Sequence, residues 1–425
     1  MLDLELQNTY TAILEAELVP ATGCTEPIAI AYAAAKLRDM LGGYPEKILA
    51  EVSGNILKNV KSVVVPNTGG MKGIKAAISA GIVAGQAELE LQVIGSVSPD
   101  RYDTIKTYCE ETPIEVSCFD TPHPLDIRLT GWIGEHRATI RITGGHSNIV
   151  YMEKDSETLL EKNLEELSAE VASQKAPLTL RGILDYAAEV DLSLVSHLLE
   201  RQIAYNTAIA EEGLKNNWGA NIGSTLLQDS EHHIKTVAKA WAAAGSDARM
   251  SGCEMPVIIV SGSGNQGMTA SLPVIRYAEH LGSSHEQLLR ALLVSNLVSI
   301  YQKIGIGRLS AYCGAVCAGI GAGSGIAYLH GAGYDAIAHT IMNASAIRSG
   351  TICDGAKPSC AAKIAASVDA GILGYQMYLG GNNFDSGDGI IGVDVESTVA
   401  NVGVLASQGM KETDRTILNI MTATS

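Results

Sequence analysis

A chain of 425 residues is too long for one ordinary hydrophobic core, so two or three domains, or one large domain with a satellite, are expected. Its residues are 46% hydrophobic but only 5% aromatic and 18% charged, with 44 glycines, which points to closely packed Ala/Val/Ile/Gly helices. The formal charge of −16 argues against a nucleic-acid or anionic-membrane partner, because a phosphate surface would meet repulsion in place of counterion release.

Residues 1–20 carry acids among their apolar positions and no basic leader, so they read as an amphipathic helix and not as a signal peptide. Residues 28–41 read as a helix stopped by Gly42-Gly43. From 46 to 154 the pattern turns β-rich, with runs at 48–52, 60–65, 89–97, 114–118, 125–129 and 138–142 and one helix at 73–85. The acidic stretch 156–172 reads as a linker or surface helix. From 178 onward the chain reads almost entirely helical, without a fixed-period repeat. Residues 309–329 hold no charge and are long enough to raise a membrane span, but their Ala and Gly content suits a packed core helix equally. The expected fold class is α+β. Residues 1–45 would be helices packing on a mostly helical domain at 170–425, with an α+β domain inserted at 46–165.

Eight cysteines without an export signal should be reduced thiols in a cytoplasmic protein, which suggests metal binding or catalysis before disulfides. Cys353 and Cys360 lie seven apart around a turn containing Gly355 and Pro358, and Cys313 lies forty residues upstream. Soft thiolates select zinc, copper(I) or iron–sulfur clusters, and three ligands leave one metal position open for substrate. Core packing of three small thiols is the plain alternative. No CxxC pair marks a structural zinc site. Cys317, one helical turn from Cys313, lines such a site or packs in the core, and Cys109, Cys118 and Cys253 have no partner at useful spacing.

Two turns add to this. The run SGSGNQG at 261–267 follows an apolar stretch and precedes a helix, so its backbone, with Ser261, Ser263, Asn265 and Gln266, suits an anion such as a carboxylate. It lacks the Lys-Ser/Thr of a Walker A loop, and an ordinary Gly-rich turn is the alternative. In TGCTEP at 22–27, Cys24 sits at a helix start, where the dipole would lower its pKa and make it a reactive thiolate or an acid/base. His146, in the turn at 144–148, is a weaker candidate base or else a surface histidine.

Taken together, TGCTEP, SGSGNQG, the cysteine of AYCGAVCAG and the pair in TICDGAKPSC closely resemble the L-cysteine desulfidase family, over nearly the whole chain. More distantly, the C-terminal half resembles the α region of iron–sulfur-dependent L-serine dehydratases. The resemblance implies a [4Fe–4S] cluster on Cys313, Cys353 and Cys360 with one iron open, carried by the helical domain. It also implies Cys24 near the cluster as acid/base or temporary ligand, with Thr22, Thr25, Ser261, Ser263, Asn265, Gln266 and His146 about the substrate.

The implied reaction cleaves L-cysteine to pyruvate, ammonia and hydrogen sulfide. The chain lacks the histidine of the dehydratases' Ser/His-rich turn and ends at Ser425 without the C-terminal cysteine tail of some of them, and both departures favour cysteine over serine. L-Serine dehydration on the same cluster, a pyridoxal-phosphate lyase using SGSGNQG as phosphate cup, and a non-catalytic cluster sensor stay open. The expected partner is a small amino acid, with no nucleic acid and no membrane. A homo-oligomer is compatible with all of this.

Overall fold

The computed structural model describes residues 3–164, 175–228 and 233–423. The chain is α+β, with a mixed six-stranded sheet near its amino end and a helical part from Leu180 onward. Strands β1 (Pro20–Thr22), β2 (Lys47–Val52), β3 (Ile114–Cys118), β4 (Asp126–Ile133), β5 (His136–Thr143), β6 (Ile149–Lys154) and β7 (Glu157–Glu161) precede the helical part, and β8 (Pro256–Ile258) lies within it. The large sheet has the order β3-β2-β4-β5-β6-β7, antiparallel except for the β2–β3 pair.

The alternation of Ile48, Ala50 and Val52, all buried, gives the sheet one apolar face. The Thr25–Leu41 helix lies on that face against β4 and β5, and the Gly73–Ala84 helix packs against it and β3. Those two helices meet backbone to backbone: a Cβ on Gly81 would stand 2.1 Å from the Ala31 carbonyl oxygen. The Thr25–Leu41 helix ends where Gly42 takes φ 79°, the left-handed stop its sequence announces.

In the helical part the Gly314–Leu329 helix is central, packed by the His285–Lys303, Gly264–Leu281, Ser359–Leu379 and Tyr334–Arg348 helices. Its glycines replace side chains with helix contact, since a Cβ on Gly371 would lie 2.1 Å from the Gly319 carbonyl oxygen. This accounts for the uncharged stretch at 309–329, and among the described residues no helix is long and apolar enough to cross a membrane. Strand β1 pairs antiparallel with β8, Pro20 opposite Ile258 and Thr22 opposite Pro256, and so ties the first residues to the helical part.

Three sequence expectations change. Residues 60–65 are no strand: Val60 closes the Gly54–Val60 helix, and Val64 makes a single bridge with Lys72. Residues 87–92 of the expected run at 89–97 form 3-10 turns, because Leu91, Val93 and Ile94 are buried beneath β1 and the Thr25–Leu41 helix instead of joining the sheet. The acidic stretch expected as a linker or helix contains the edge strand β7, and its residues 165–172 lie outside those described.

Gly371→Ala is expected to destabilise the protein by about 1–3 kcal/mol, the usual cost of forcing a methyl into a filled contact. Thermal unfolding of the variant beside Gly333→Ala, where a Cβ meets nothing within 4 Å, checks this, and equal midpoints would contradict it.

Candidate active site

The β1–β8 pair brings two turns together. Past β8, Val260-Ser261-Gly262-Ser263 folds back with Ser261 at φ 50° and Gly262 at φ 77°, closed by the Ser263 N–H donating to the Val260 oxygen at 3.0 Å. A non-glycine residue held left-handed costs energy that the surroundings must supply. Past β1, Thr25 Oγ1 donates to the Gly262 oxygen at 2.9 Å, which fixes TGCTEP against SGSGNQG.

The cysteine segments are joined similarly. Tyr312 and Ile352 form an antiparallel bridge, with the Cys313 N–H donating to the Thr351 oxygen at 3.0 Å and the Cys353 N–H to the Ala311 oxygen at 2.6 Å. Cys313 caps the Gly314–Leu329 helix, and Cys360 lies in the first turn of the Ser359–Leu379 helix, its thiol donating to the Gly355 oxygen at 3.6 Å. Asp354 between them is held by Lys357 and Lys363.

All four segments line one cavity of about 100 Å³, with Cys24, Cys313, Cys353 and Cys360 on its wall beside Thr25, Ser261, Ser263, Asn265 and Gln266. Four helices, Thr25–Leu41, Gly264–Leu281, Gly314–Leu329 and Ser359–Leu379, start at this cavity, and none of these starts has a side-chain cap. Their N–H groups and positive dipole ends therefore face the space between them.

Several polar groups there have no partner. Arg249 is buried, donates from Nη1 to Asn265 Oδ1 at 3.1 Å, and leaves Nε and Nη2 unpartnered. Asn59 Oδ1, Ser261 Oγ and Gln266 Oε1 are buried without partners too. Gly314 makes room for Gln266, since a Cβ there would lie 2.6 Å from its amide carbon.

Glu26 organises the wall beside Cys24. It accepts from the Cys24 thiol at 3.0 Å, Thr25 Oγ1 at 3.2 Å and Asn59 Nδ2 at 3.1 Å, and lies 4.0 Å from His146 Nε2. Burial pushes its carboxyl up, but His146, the Cys24 thiol and Arg249 outweigh that and hold it below its ordinary value. His146 is itself held down to about 4 by burial, with Arg308 and Arg249 opposing the pull of Glu26. It is neutral at pH 7, so the charge on Glu26 at that pH rests on its hydrogen bonds and on Arg249.

Not every candidate keeps its expected place. Burial first, then Glu26, raises the Cys24 thiol well above its ordinary pKa, the reverse of the lowering expected from the helix start. His146 is buried, not a surface histidine; it stands behind Glu26 and against Gly262 instead of on the cavity wall, and both ring nitrogens lack partners. Thr22 is buried on β1 outside the cavity wall. Cys317 packs in the core, pushed up to about 11 by burial, and Cys109, Cys118 and Cys253 lie off the cavity. Among the described residues no three His, Cys, Asp or Glu side chains stand close enough to hold a single metal ion.

A family description, serine dehydratase alpha chain, matches residues 70–419. The chain belongs to that family. A UPF0597 protein of Desulfitobacterium hafniense is 56% identical over 416 residues, covering 97% of this chain and 96% of its own. UPF0597 proteins of Lachnoclostridium phytofermentans, 49% identical over 96% and 98% of the two chains, and of Treponema denticola, 44% identical over 99% of each, are similar along their whole length. For a serine dehydratase alpha chain the matched segment holds Arg249, the SGSGNQG turn and the three cysteines, while Cys24 and Glu26 precede it.

The wall residues Glu26, Asn59, Arg249, Lys303 and Arg308 escaped the sequence reading. Glu26 was in plain view inside TGCTEP. Arg249 closes an Ala-rich helix, where a lone cation suggests a solvated end until its burial is known.

Two measurements follow from these groups. Alkylation of Cys24 followed against pH should show a thiol titrating above its ordinary range, and Glu26→Gln, which removes the anion that raises it, should move the profile to lower pH. An unmoved profile would contradict the Glu26 contact. His146 has a folded pKa of about 4 against 6.5 for the free side chain, so its burial costs no stability above pH 6.5 and progressively more as the pH falls toward 4. His146→Gln should flatten the acid-side loss of unfolding free energy in that window.

Proposed function

We propose that the chain is an iron–sulfur-dependent lyase of L-cysteine, working in the cytoplasm on the free amino acid, with no nucleic-acid or membrane partner. The observation that carries the reading is the meeting of three cysteines, a buried arginine with two unpartnered N–H groups and four uncapped helix starts at one small cavity.

Cys313, Cys353 and Cys360 would hold a [4Fe–4S] cluster. Burial first, and then the nearness of Cys353, pushes the Cys313 thiol up to about 12, so three thiolates fit together here only around a cationic group. Three cysteine thiolates with one position left open are a donor set that such a cluster would take. When bound, such a cluster supplies a Lewis acid for the leaving sulfur.

The protein's own groups account for the rest. The Nε and Nη2 hydrogens of Arg249 offer a planar fork for the substrate carboxylate. Asn59 Oδ1 and Gln266 Oε1 are free acceptors for its ammonium. The proton leaving Cα goes to the Cys24–Glu26 pair, with Glu26 as the ionised acceptor, since the raised Cys24 thiol makes a poor thiolate unaided. The C–H electrons form the Cα=Cβ bond, the Cβ–S bond breaks with its pair on sulfur, and the enamine released takes up a proton and water to give pyruvate and ammonia.

L-Serine is the second reading, favoured by the family description itself, and it uses the same groups with a hydroxyl leaving. Anaerobic reconstitution with iron and sulfide, followed by assays of pyruvate and sulfide on each amino acid, separates the two. Equal sulfide and pyruvate from L-cysteine, abolished in Cys353→Ala, is the expected result. Arg249→Gln is expected to raise KM about tenfold or more, the worth of a charged hydrogen bond. Pyruvate from L-serine alone would move the assignment to a dehydratase, and a loaded cluster with no turnover on either would overturn the lyase.

A further inference from the structure

Cys353 is held from behind by groups that line no part of the reaction described above. Lys58, in the Gly54–Val60 helix, is 2% exposed, and its ammonium donates to the Cys353 carbonyl oxygen at 3.2 Å and to Asp414 Oδ1 at 2.5 Å. Asp414, in the Lys411–Ala423 helix, accepts through its other oxygen from Asn55 Nδ2 at 2.6 Å. The contact is two-sided. Gly355, at φ +95°, brings the cysteine loop so close that a Cβ there would lie 2.6 Å from the Lys58 carbonyl oxygen. The next residue, Asn59, donates to Glu26 at 3.1 Å, so one short helix braces both the cysteine loop and the carboxylate across the cavity.

An ammonium buried this deeply is costly unless its partners are well placed, and a pair of this kind is poor evidence for stability alone. Its geometry gives it another use. The Cys353 carbonyl belongs to the residue whose thiol must meet Cys313 and Cys360, so a donor that fixes this oxygen also fixes where the thiol starts from.

We propose that Lys58, with Asp414 as its counter-ion, is a positioning residue for Cys353: through the Cys353 carbonyl it fixes the loop in register with Cys313 and Cys360. The last described helix is on this account a working part of the cluster site. The inference rests on the cluster reading above for its consequences, and on the apoprotein for one independent check.

The test compares wild type, Lys58→Met, Lys58→Arg and Asp414→Asn after anaerobic reconstitution. Iron per chain, the electron paramagnetic resonance of the reduced cluster and the rate of cluster loss to a chelator are read. Lys58→Met is expected to lose its cluster about 10–100 times faster, in line with the loss of an outer-shell partner, and to show an altered resonance. Asp414→Asn should fall between, and Lys58→Arg should recover the wild-type resonance.

In the apoproteins, Cys353 should react faster with iodoacetamide in Lys58→Met and Asp414→Asn while Cys24 and Cys313 do not. A general loosening would speed all of them together and would overturn the positioning role. Wild-type retention and resonance in Lys58→Met would overturn it as well. If the wild type takes up no cluster, the function proposed above falls, and Cys353 labelling alone then decides this inference, unchanged rates sinking it. If Lys58→Met does not fold, Asp414→Asn carries both readouts.

Discussion

Four helices point their first turns at one small space, and the rest of the architecture serves to let them do so. Each start carries about half a positive charge and N–H groups without helical partners. Brought together around Cys24, Ser263, Cys313 and Cys360 they make a field that favours anions, in a chain whose overall charge is −16. Such a concentration of like dipole ends is unfavourable by itself, and thiolates and a substrate carboxylate are the groups that would relieve it. Arg249 adds a positive charge to the cavity wall, while Glu26 brings an anion held by the Cys24, Thr25 and Asn59 side chains.

Convergence of that kind demands slender helices. Gly319 against Gly371, and Gly81 against Ala31, show backbones in direct contact where ordinary side chains would hold the axes apart. The low aromatic content follows from the same demand, since large rings have no place between such helices. The short β1–β8 pair then does a task out of proportion to its length. It fixes the register between the Cys24 turn and the Ser261 turn, which the Thr25 to Gly262 hydrogen bond completes.

Much of this could be read from the chain, because punctuation survives folding. Gly42 stops its helix as expected, the runs at 48–52, 114–118, 125–129 and 138–142 are strands, and the turns carrying Cys24, Ser261 and Cys353 do meet. What failed were segments whose local pattern is overridden by neighbours. The run at 89–97 suits a strand, yet Leu91, Val93 and Ile94 find burial under a helix, where turns serve better. Charge at Cys24 departs from its local pattern for a related reason. A helix start does favour a thiolate, but burial first, and then Glu26 two residues on, reverses the sign at Cys24. Arg249, Lys58 and Asn59 were illegible because sequence does not tell a buried polar residue from a solvated one until its partners are in place, and those of Lys58 lie 295 and 356 residues away.

Those separations also bear on how the site comes into being during synthesis. A chain made from its amino end folds its early units first. Here the sheet and its covering helices can assemble while the wall of the cavity is still missing, because Cys353 and Cys360 follow them by nearly two hundred residues and Asp414 comes later still. Until then Glu26 and Cys24 face water or the inside of a partly built protein. A ligand of this cavity would therefore find its full wall only on a finished or nearly finished chain.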